Sequence, residues 1–153
     1  MISQKTRYAL KALMLLASDE KKEKGPILIS NLAKRGHMPQ KFLEAILLEL
    51  KNHGILQSKK GKGGGYTLGK PAGEIMFGNI IRILEGPLAL IPCVSKSLHH
   101  RCPDCNDEET AGMRILFKEV RDATTNILDN TSLEKVLRVQ DEARENKPLM
   151  YFI

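Results

Sequence analysis

The segment from Ile55 to Leu68, ILQSKKGKGGGYTL, sets three lysines and four glycines between two short β-prone runs, directly after a long amphipathic helix. Few folds have a place for such a stretch. Glycines without Cβ atoms accept positive φ and close a tight connection, so the pattern predicts strands at about 55–59 and 65–69 paired as a hairpin. A hairpin in that position is the wing of a winged helix. A bare loop carrying Lys59, Lys60 and Lys62 suits an anionic polymer, with backbone amides at Gly61, Gly63, Gly64 and Gly65 free to approach a sugar–phosphate edge. A basic side chain at the tip can also enter a narrow minor groove.

The residues before the wing support this reading. Tyr8, Leu10, Leu13, Leu16 and Ala17 mark a first helix with Ser3 as its N-cap, followed by a charged loop over 19–26. A short helix over about 29–35, opened by Ser30, carries Leu32 and Ala33 inward and is broken by Gly36. The next helix has Pro39 in its first turn, where the missing N–H is harmless, and Phe42, Leu43, Ile46, Leu47 and Leu50 as its apolar stripe. Gly54 supplies the C′ residue. Two helices joined by a tight turn, the second longer, form a helix-turn-helix.

Beyond the wing and Pro71, Phe77, Ile80, Ile81 and Leu84 predict a helix stopped by Gly86-Pro87. Met113, Leu116, Phe117, Val120, Ala123 or Thr124, and Ile127 recur at three- and four-residue steps, predicting a helix of about 110–129. Its apolar seam needs a cover. Either the helix folds back on its own domain or it pairs with its twin and sets two DNA-binding units at helical-repeat spacing; pairing is favoured, because single modules of this kind seldom suffice on DNA. Thr131 with Glu134 has the form of a capping box for a last helix through Leu137.

Charge follows the same division. Residues 1–73 hold 14 Lys and Arg against 5 Asp and Glu, while residues 74–153 hold 10 against 13. A positive field concentrated in the first half is the footprint expected for phosphate backbones. No apolar run reaches membrane-spanning length and the N-terminus has no signal-peptide core, so the chain is expected to be cytoplasmic.

Enzymatic chemistry finds little support. Gly64 to Lys70 imitates a phosphate-binding loop, but Pro71 stands where Ser or Thr would bind magnesium, and the segment lies along a strand rather than at a strand-to-helix turn. No paired carboxylates or nucleophile–base grouping stands out. The cysteines differ. Cys93, Cys102 and Cys105 fall within thirteen residues with His99 and His100 between, and the Cys102-Pro103-Asp104-Cys105 knuckle suits tetrahedral sulfur ligation. Zinc would recruit His99 or His100; an iron–sulfur cluster would take the three thiolates and one further ligand; three free cysteines remain the third reading.

Together these residues resemble the IscR/NsrR/CymR family of small bacterial winged-helix regulators. Thr6-Arg7-Tyr8-Ala9-Leu10, Phe42-Leu43-Glu44, Gly63-Gly64-Gly65-Tyr66, Ile83-Leu84-Glu85-Gly86 and Cys93 carry the resemblance, which covers about residues 1–138. It implies a homodimer on a roughly palindromic promoter site in double-stranded DNA. It also implies a signal, such as redox state or nitric oxide, sensed in the loop before the dimerisation helix, where members with three cysteines hold an iron–sulfur cluster (2Fe–2S or 4Fe–4S). By resemblance, Glu44 reads bases in the major groove and Lys60 serves the minor groove. Three departures stand out. His99 occupies the usual place of the middle cysteine, Gly36 comes one residue early, and Lys41 replaces a common serine.

The expected architecture is mainly α with a small β-wing. Residues 1–86 form a winged helix-turn-helix domain, 87–109 a cysteine-containing sensor loop, 110–138 dimerisation helices and 139–153 a tail. The expected DNA contacts are Arg7, Pro39, Gln40, Lys41, Glu44, Lys59, Lys60, Lys62, Gly63, Gly64 and Tyr66. The expected metal ligands are Cys93, Cys102 and Cys105. The resemblance implies a transcriptional regulator, expected to be a repressor switched by the cluster. Two alternatives remain: a zinc or thiol switch on the same fold, and an adaptor that places its basic face on an acidic protein.

Overall fold

A computed structural model describes residues 2–22, 24–95 and 110–145. Six α-helices and one hairpin make up the described chain: α1 (Gln4–Glu20), α2 (Ile29–Gly36), α3 (Gln40–Asn52), β1 (Leu56–Lys59), β2 (Gly65–Leu68), α4 (Phe77–Glu85), α5 (Ala111–Asp129) and α6 (Leu133–Glu145). Short 3-10 turns at Ala72–Glu74 and Pro92–Val94 lie between them.

The core is built as the apolar periodicity requires. Leu13 and Leu16 of α1, Leu32 of α2, Leu43, Ile46, Leu47 and Leu50 of α3, Leu56 and Leu68 of the wing base, and Ile80 of α4 are all buried in one cluster. Ser3 caps α1 by accepting from the Thr6 amide at 3.2 Å. Helix α3 starts after Pro39 in extended conformation, and Gly54 at φ +71° ends its run.

Several boundaries move for local reasons. Asp19 and Glu20 belong to α1 rather than to the charged loop, because Asp19 turns inward to meet Arg35. Helix α2 begins at Ile29, with Leu28 rather than Ser30 at its N-cap. The left-handed residue after it is His37 at φ +50°, not Gly36. Gly36 is needed for space instead, since a Cβ there would overlap Cε of Met38, which is buried in the core. Ser132, not Thr131, caps α6 by accepting from the Lys135 amide at 3.1 Å, and the Thr131 hydroxyl turns back to the Ile127 carbonyl. Helix α6 runs past Leu137 to Glu145, so residues 139–145 are helix and not tail.

The hairpin pairs Leu56 with Leu68 through Lys59 with Gly65, antiparallel. A third strand position adds to it, as Ile27 and Tyr66 exchange backbone hydrogen bonds of 3.0 and 2.8 Å. Gly65 is required at this crossing. Its φ is +145°, and a methyl there would lie 2.5 Å from the Ile27 carbonyl.

The two long C-terminal helices behave differently. Helix α6 packs on α1 and places Leu133 and Leu137 in the same core, while Leu133 N–H donates to the Ile75 carbonyl and Phe77 N–H to that of Thr131. Helix α5 has no buried residue, and Met113, Ile115, Leu116, Val120 and Ile127 stand exposed along it. Among the described residues nothing covers that seam. The helix touches its own domain at α4 and at the Pro92–Val94 turn, and these contacts leave the seam residues exposed.

Candidate nucleic-acid interface and sensor region

Helix α3 shows two faces. Leu43, Ile46, Leu47 and Leu50 point into the core, while Gln40, Lys41, Glu44, Ala45 and Leu48 are exposed on the other side. The Gln40 amide reaches Glu44 Oε1 only at 3.4 Å, so the Glu44 carboxylate keeps acceptor capacity for another donor. Helix α1 braces α3 from behind. Lys5 Nζ meets Glu49 Oε2 at 2.6 Å, and the Tyr8 ring packs edge-on against Phe42 at a centroid distance of 5.9 Å. Arg7, exposed on α1, donates to Gln4 Oε1.

The wing continues from α3 through the His53-Gly54 turn. Lys59, Lys60 and Lys62 are exposed, and among the described residues none is engaged in an ion pair. Three of the four wing glycines have positive φ, Gly61 at +89°, Gly63 at +74° and Gly65 at +145°. Gly64 does not. It is buried, its amide donates to the Gly61 carbonyl at 3.0 Å, and its place in the turn is tight against the Lys59 carbonyl. Tyr66 is half-buried against the core, so the open surface of the wing is its lysine tip with Gly61 and Gly63.

Helix α1 is locked to the first member of the helix-turn-helix by an ion pair that sequence spacing does not reveal. Asp19, almost fully buried at the end of α1, accepts from both terminal nitrogens of Arg35 at 2.6 and 2.9 Å. Those hydrogen bonds hold the Asp19 carboxyl below its ordinary range despite burial, and raise Arg35 in turn. A second lock joins α1 to the end of α4. Glu85 Oε1 accepts from the Ser3 amide at 2.8 Å and the Thr6 hydroxyl at 2.5 Å, and hydrogen bonds from Ser3 and Thr6 hold its pKa at about 2.

Helix α4 is followed by Gly86 at φ +88° and then by the 3-10 turn that carries Cys93. Cys93 is a half-buried free thiol beside the N-terminal half of α5, in a cleft of about 290 Å³ shared with Val94, Ala111, Arg114, Ile115, Lys118 and Arg121. Arg121 donates to the Val94 carbonyl. At the far end of α5, Arg82 grips Asp129 through bonds of 2.6 and 2.8 Å. Cys102, Cys105, His99 and His100 lie outside the described residues, and among the described ones no group of three His, Cys, Asp or Glu side chains could hold a metal.

A helix with a solvent-facing polar ridge, braced as the second member of a helix-turn-helix and followed by a cationic two-stranded wing, defines a winged helix-turn-helix transcriptional regulator that binds DNA. The comparisons agree. The chain belongs to the Rrf2 family, whose model, described as an iron-dependent transcriptional regulator, matches residues 2–139. It is 38% identical over 144 residues to an rrf2-like HTH-type transcriptional regulator of Rhodobacter capsulatus, spanning 94% of this chain and 96% of that one. It is 34% identical to the HTH-type transcriptional regulator CymR of Bacillus subtilis, over 99% of both chains. Among solved structures, CymR of B. subtilis, the global cysteine regulator, superposes with a TM-score of 0.73 at 32% identity, covering 89% of this chain and 95% of that one. IscR of T. potens does so with a TM-score of 0.74 at 26% identity, covering 99% and 96%. The fold and family expected from the sequence are thus found, and no helix among the described residues is long and apolar enough to cross a membrane.

Proposed function

We propose that the protein is a homodimeric repressor that binds a palindromic duplex site and loses or gains affinity through chemistry at Cys93, Cys102 and Cys105. The observation that supports this best is the uncovered apolar seam of α5, running from the Cys93 cleft to the Arg82–Asp129 clamp. Pairing two such helices would bury Met113, Leu116, Val120 and Ile127 and set two α3 helices on successive major grooves. In each half-site Glu44 accepts from cytosine N4, Gln40 and Lys41 read neighbouring edges, and Arg7, Lys59, Lys60 and Lys62 hold phosphates. Pro39 fixes the entry of α3, and the wing geometry at Gly63, Gly64 and Tyr66 aims the lysines.

The donors in the sensor region suit a thiolate-bound group. Cys93 offers a half-buried sulfur in a cleft that Arg114, Lys118 and Arg121 also line. With Cys102 and Cys105 it would hold an iron–sulfur cluster, with His99 or His100 as the fourth ligand, and the cluster would supply a centre sensitive to redox state or nitric oxide. The chain's own part is mechanical. Arg121 ties the Cys93 turn to α5, Glu85 ties the preceding helix to the cap of α1, and α1 braces α3 through Lys5 and Tyr8. A typical coupling of about 1–3 kcal/mol through such a path changes DNA affinity about 5–150-fold.

The likeness to CymR, which in Staphylococcus aureus has been solved in an oxidized form, favours a second reading in which the same thiols switch without a cluster. Anaerobic purification separates the two. Visible absorbance with stoichiometric iron and sulfide supports the cluster, whereas colourless protein with titratable thiols or one zinc per chain supports the alternative. Sedimentation tests the dimer: Leu116→Asp is expected to give monomers, and an unchanged dimer would refute the role of α5.

A further inference from the structure

Leu48 is a large apolar side chain left 54% exposed at the middle of the polar face of α3. Core packing does not explain it, since Leu43, Ile46, Leu47 and Leu50 fill the opposite side. Its place on the helix is specific. At 3.6 residues per turn, Lys41 and Leu48 project along nearly one line, about 10 Å apart along the axis, with Glu44 and Ala45 on either side between them. Any surface that receives Lys41 and Glu44 must therefore also receive Leu48 and the Ala45 methyl. Single exposed leucines are ordinary on a protein surface and need no account. One centred on the ridge that enters a DNA groove needs a partner, and the one methyl group among the hydrogen-bonding edges of the major groove is the C5-methyl of thymine.

Resting on the reading of α3 as the base-reading helix, we propose that Leu48, flanked by Ala45, is a specificity-determining residue that selects a thymine by packing on its C5-methyl. The rise from Glu44 to Leu48 is about 6 Å, roughly two base-pair steps, so the thymine lies within about two steps of the pair that Glu44 reads. The half-site would then join a hydrogen-bonded position near the N-terminus of α3 to an apolar one a turn further on.

The test uses the full-length protein and the duplex it selects from a random-sequence pool. Each thymine of one half-site is replaced singly by deoxyuracil, which removes only the C5-methyl, in both halves by symmetry. Wild-type protein is expected to lose about fourfold in affinity per half-site at one thymine position and nothing at the others, the usual worth of one buried methyl group. Leu48→Ala is expected to bind the thymine duplex several-fold more weakly and to be indifferent to uracil there, while retaining its selectivity at the Glu44 position. Leu48→Gln, which keeps length and helix propensity, is expected to behave likewise, so a folding defect of one variant does not mimic the effect. If a duplex is selected but no uracil substitution matters, or if Leu48→Ala keeps the wild-type sensitivity, the assignment of Leu48 is wrong. If the pool yields no preferred duplex at all, the base-reading role of α3 fails instead.

Discussion

Arg35→Ala isolates the lock between α1 and α2. The substitution removes two charge-assisted hydrogen bonds, at 2.6 and 2.9 Å, and leaves Asp19 with 5% side-chain exposure and no guanidinium partner. Breaking a fully buried pair costs about 3–5 kcal/mol, because the surviving charge stays desolvated. Here the Arg35 side chain is 40% exposed, and Lys22 and Lys24 also act on the Asp19 carboxylate, so the cost is discounted to about 2 kcal/mol. For a chain of this size that lowers the midpoint of thermal unfolding by about 6 °C, measured by circular dichroism. The pH dependence carries the stricter test. In the wild type the carboxyl lies below its ordinary value, so the stabilisation is complete above that value, 3.8, and fades as pH falls through the folded one. In Arg35→Ala burial raises the carboxyl, which protonates without opposing charge. The gap between the two proteins should therefore be full at pH 7 and clearly smaller at pH 3. The double variant Asp19→Asn/Arg35→Ala should recover part of the loss at pH 7. An equal gap at both pH values, or a double variant less stable than Arg35→Ala, would refute the argument that an unpaired buried carboxylate is the cost.

Gly65→Ala, with φ of +145° and the Ile27 backbone in the way, is expected to lose about 2–3 kcal/mol in urea unfolding. Gly61→Ala, with open space around it, should lose only about 1 kcal/mol, and comparable losses would show that the Ile27 crossing is not what demands glycine. Glu85 titrates at about 2 in the fold against an ordinary 4.5, so its contribution is complete above pH 4.5 and is lost as pH falls towards 2; Glu85→Gln should flatten that part of the acid unfolding curve. In salt titrations on duplex DNA, Lys60→Ala should weaken specific and random sequences alike and reduce the log–log slope by about 1, whereas Glu44→Ala should relax preference at one base pair by about 1–3 kcal/mol. Equal effects of the two on both kinds of duplex would overturn the division of roles.

Periodic features were legible in the sequence. The stripes of α1, α3, α4 and α5 recur at helical spacing, and the wing is marked by glycines whose φ values the turn requires. The polar face of α3 follows from its apolar one, so the exposure of Gln40, Lys41 and Glu44 could be read from residue order, while their role on DNA came from the family resemblance. What escaped was set by contacts distant in sequence. Asp19 reads as the first acid of a charged loop until Arg35 is brought beside it, and Glu85 reads as a helix-terminal acid until Ser3 and Thr6 meet it. Nothing local distinguishes Ser132 from Thr131 as a cap; the Thr131 carbonyl is committed to Phe77 N–H, and that pairing positions Ser132. Apolar spacing was also silent about Leu48, because an exposed leucine carries no periodic signature.

The burial of Leu133 and Leu137 bears on how the protein comes into being. Synthesis proceeds from the N-terminus, and helices α1 to α4 emerge long before the two leucines that complete their core. Until α6 arrives, Ile75 lacks the Leu133 amide that its carbonyl accepts, and α1 lacks the helix that packs on it and joins it through Lys21 and Asp141. A half-made chain thus has its wing and helix α3 on an unfinished foundation. Completion of this core is deferred until translation has passed Cys93, Cys102 and Cys105, so every chain that completes it carries all three thiols.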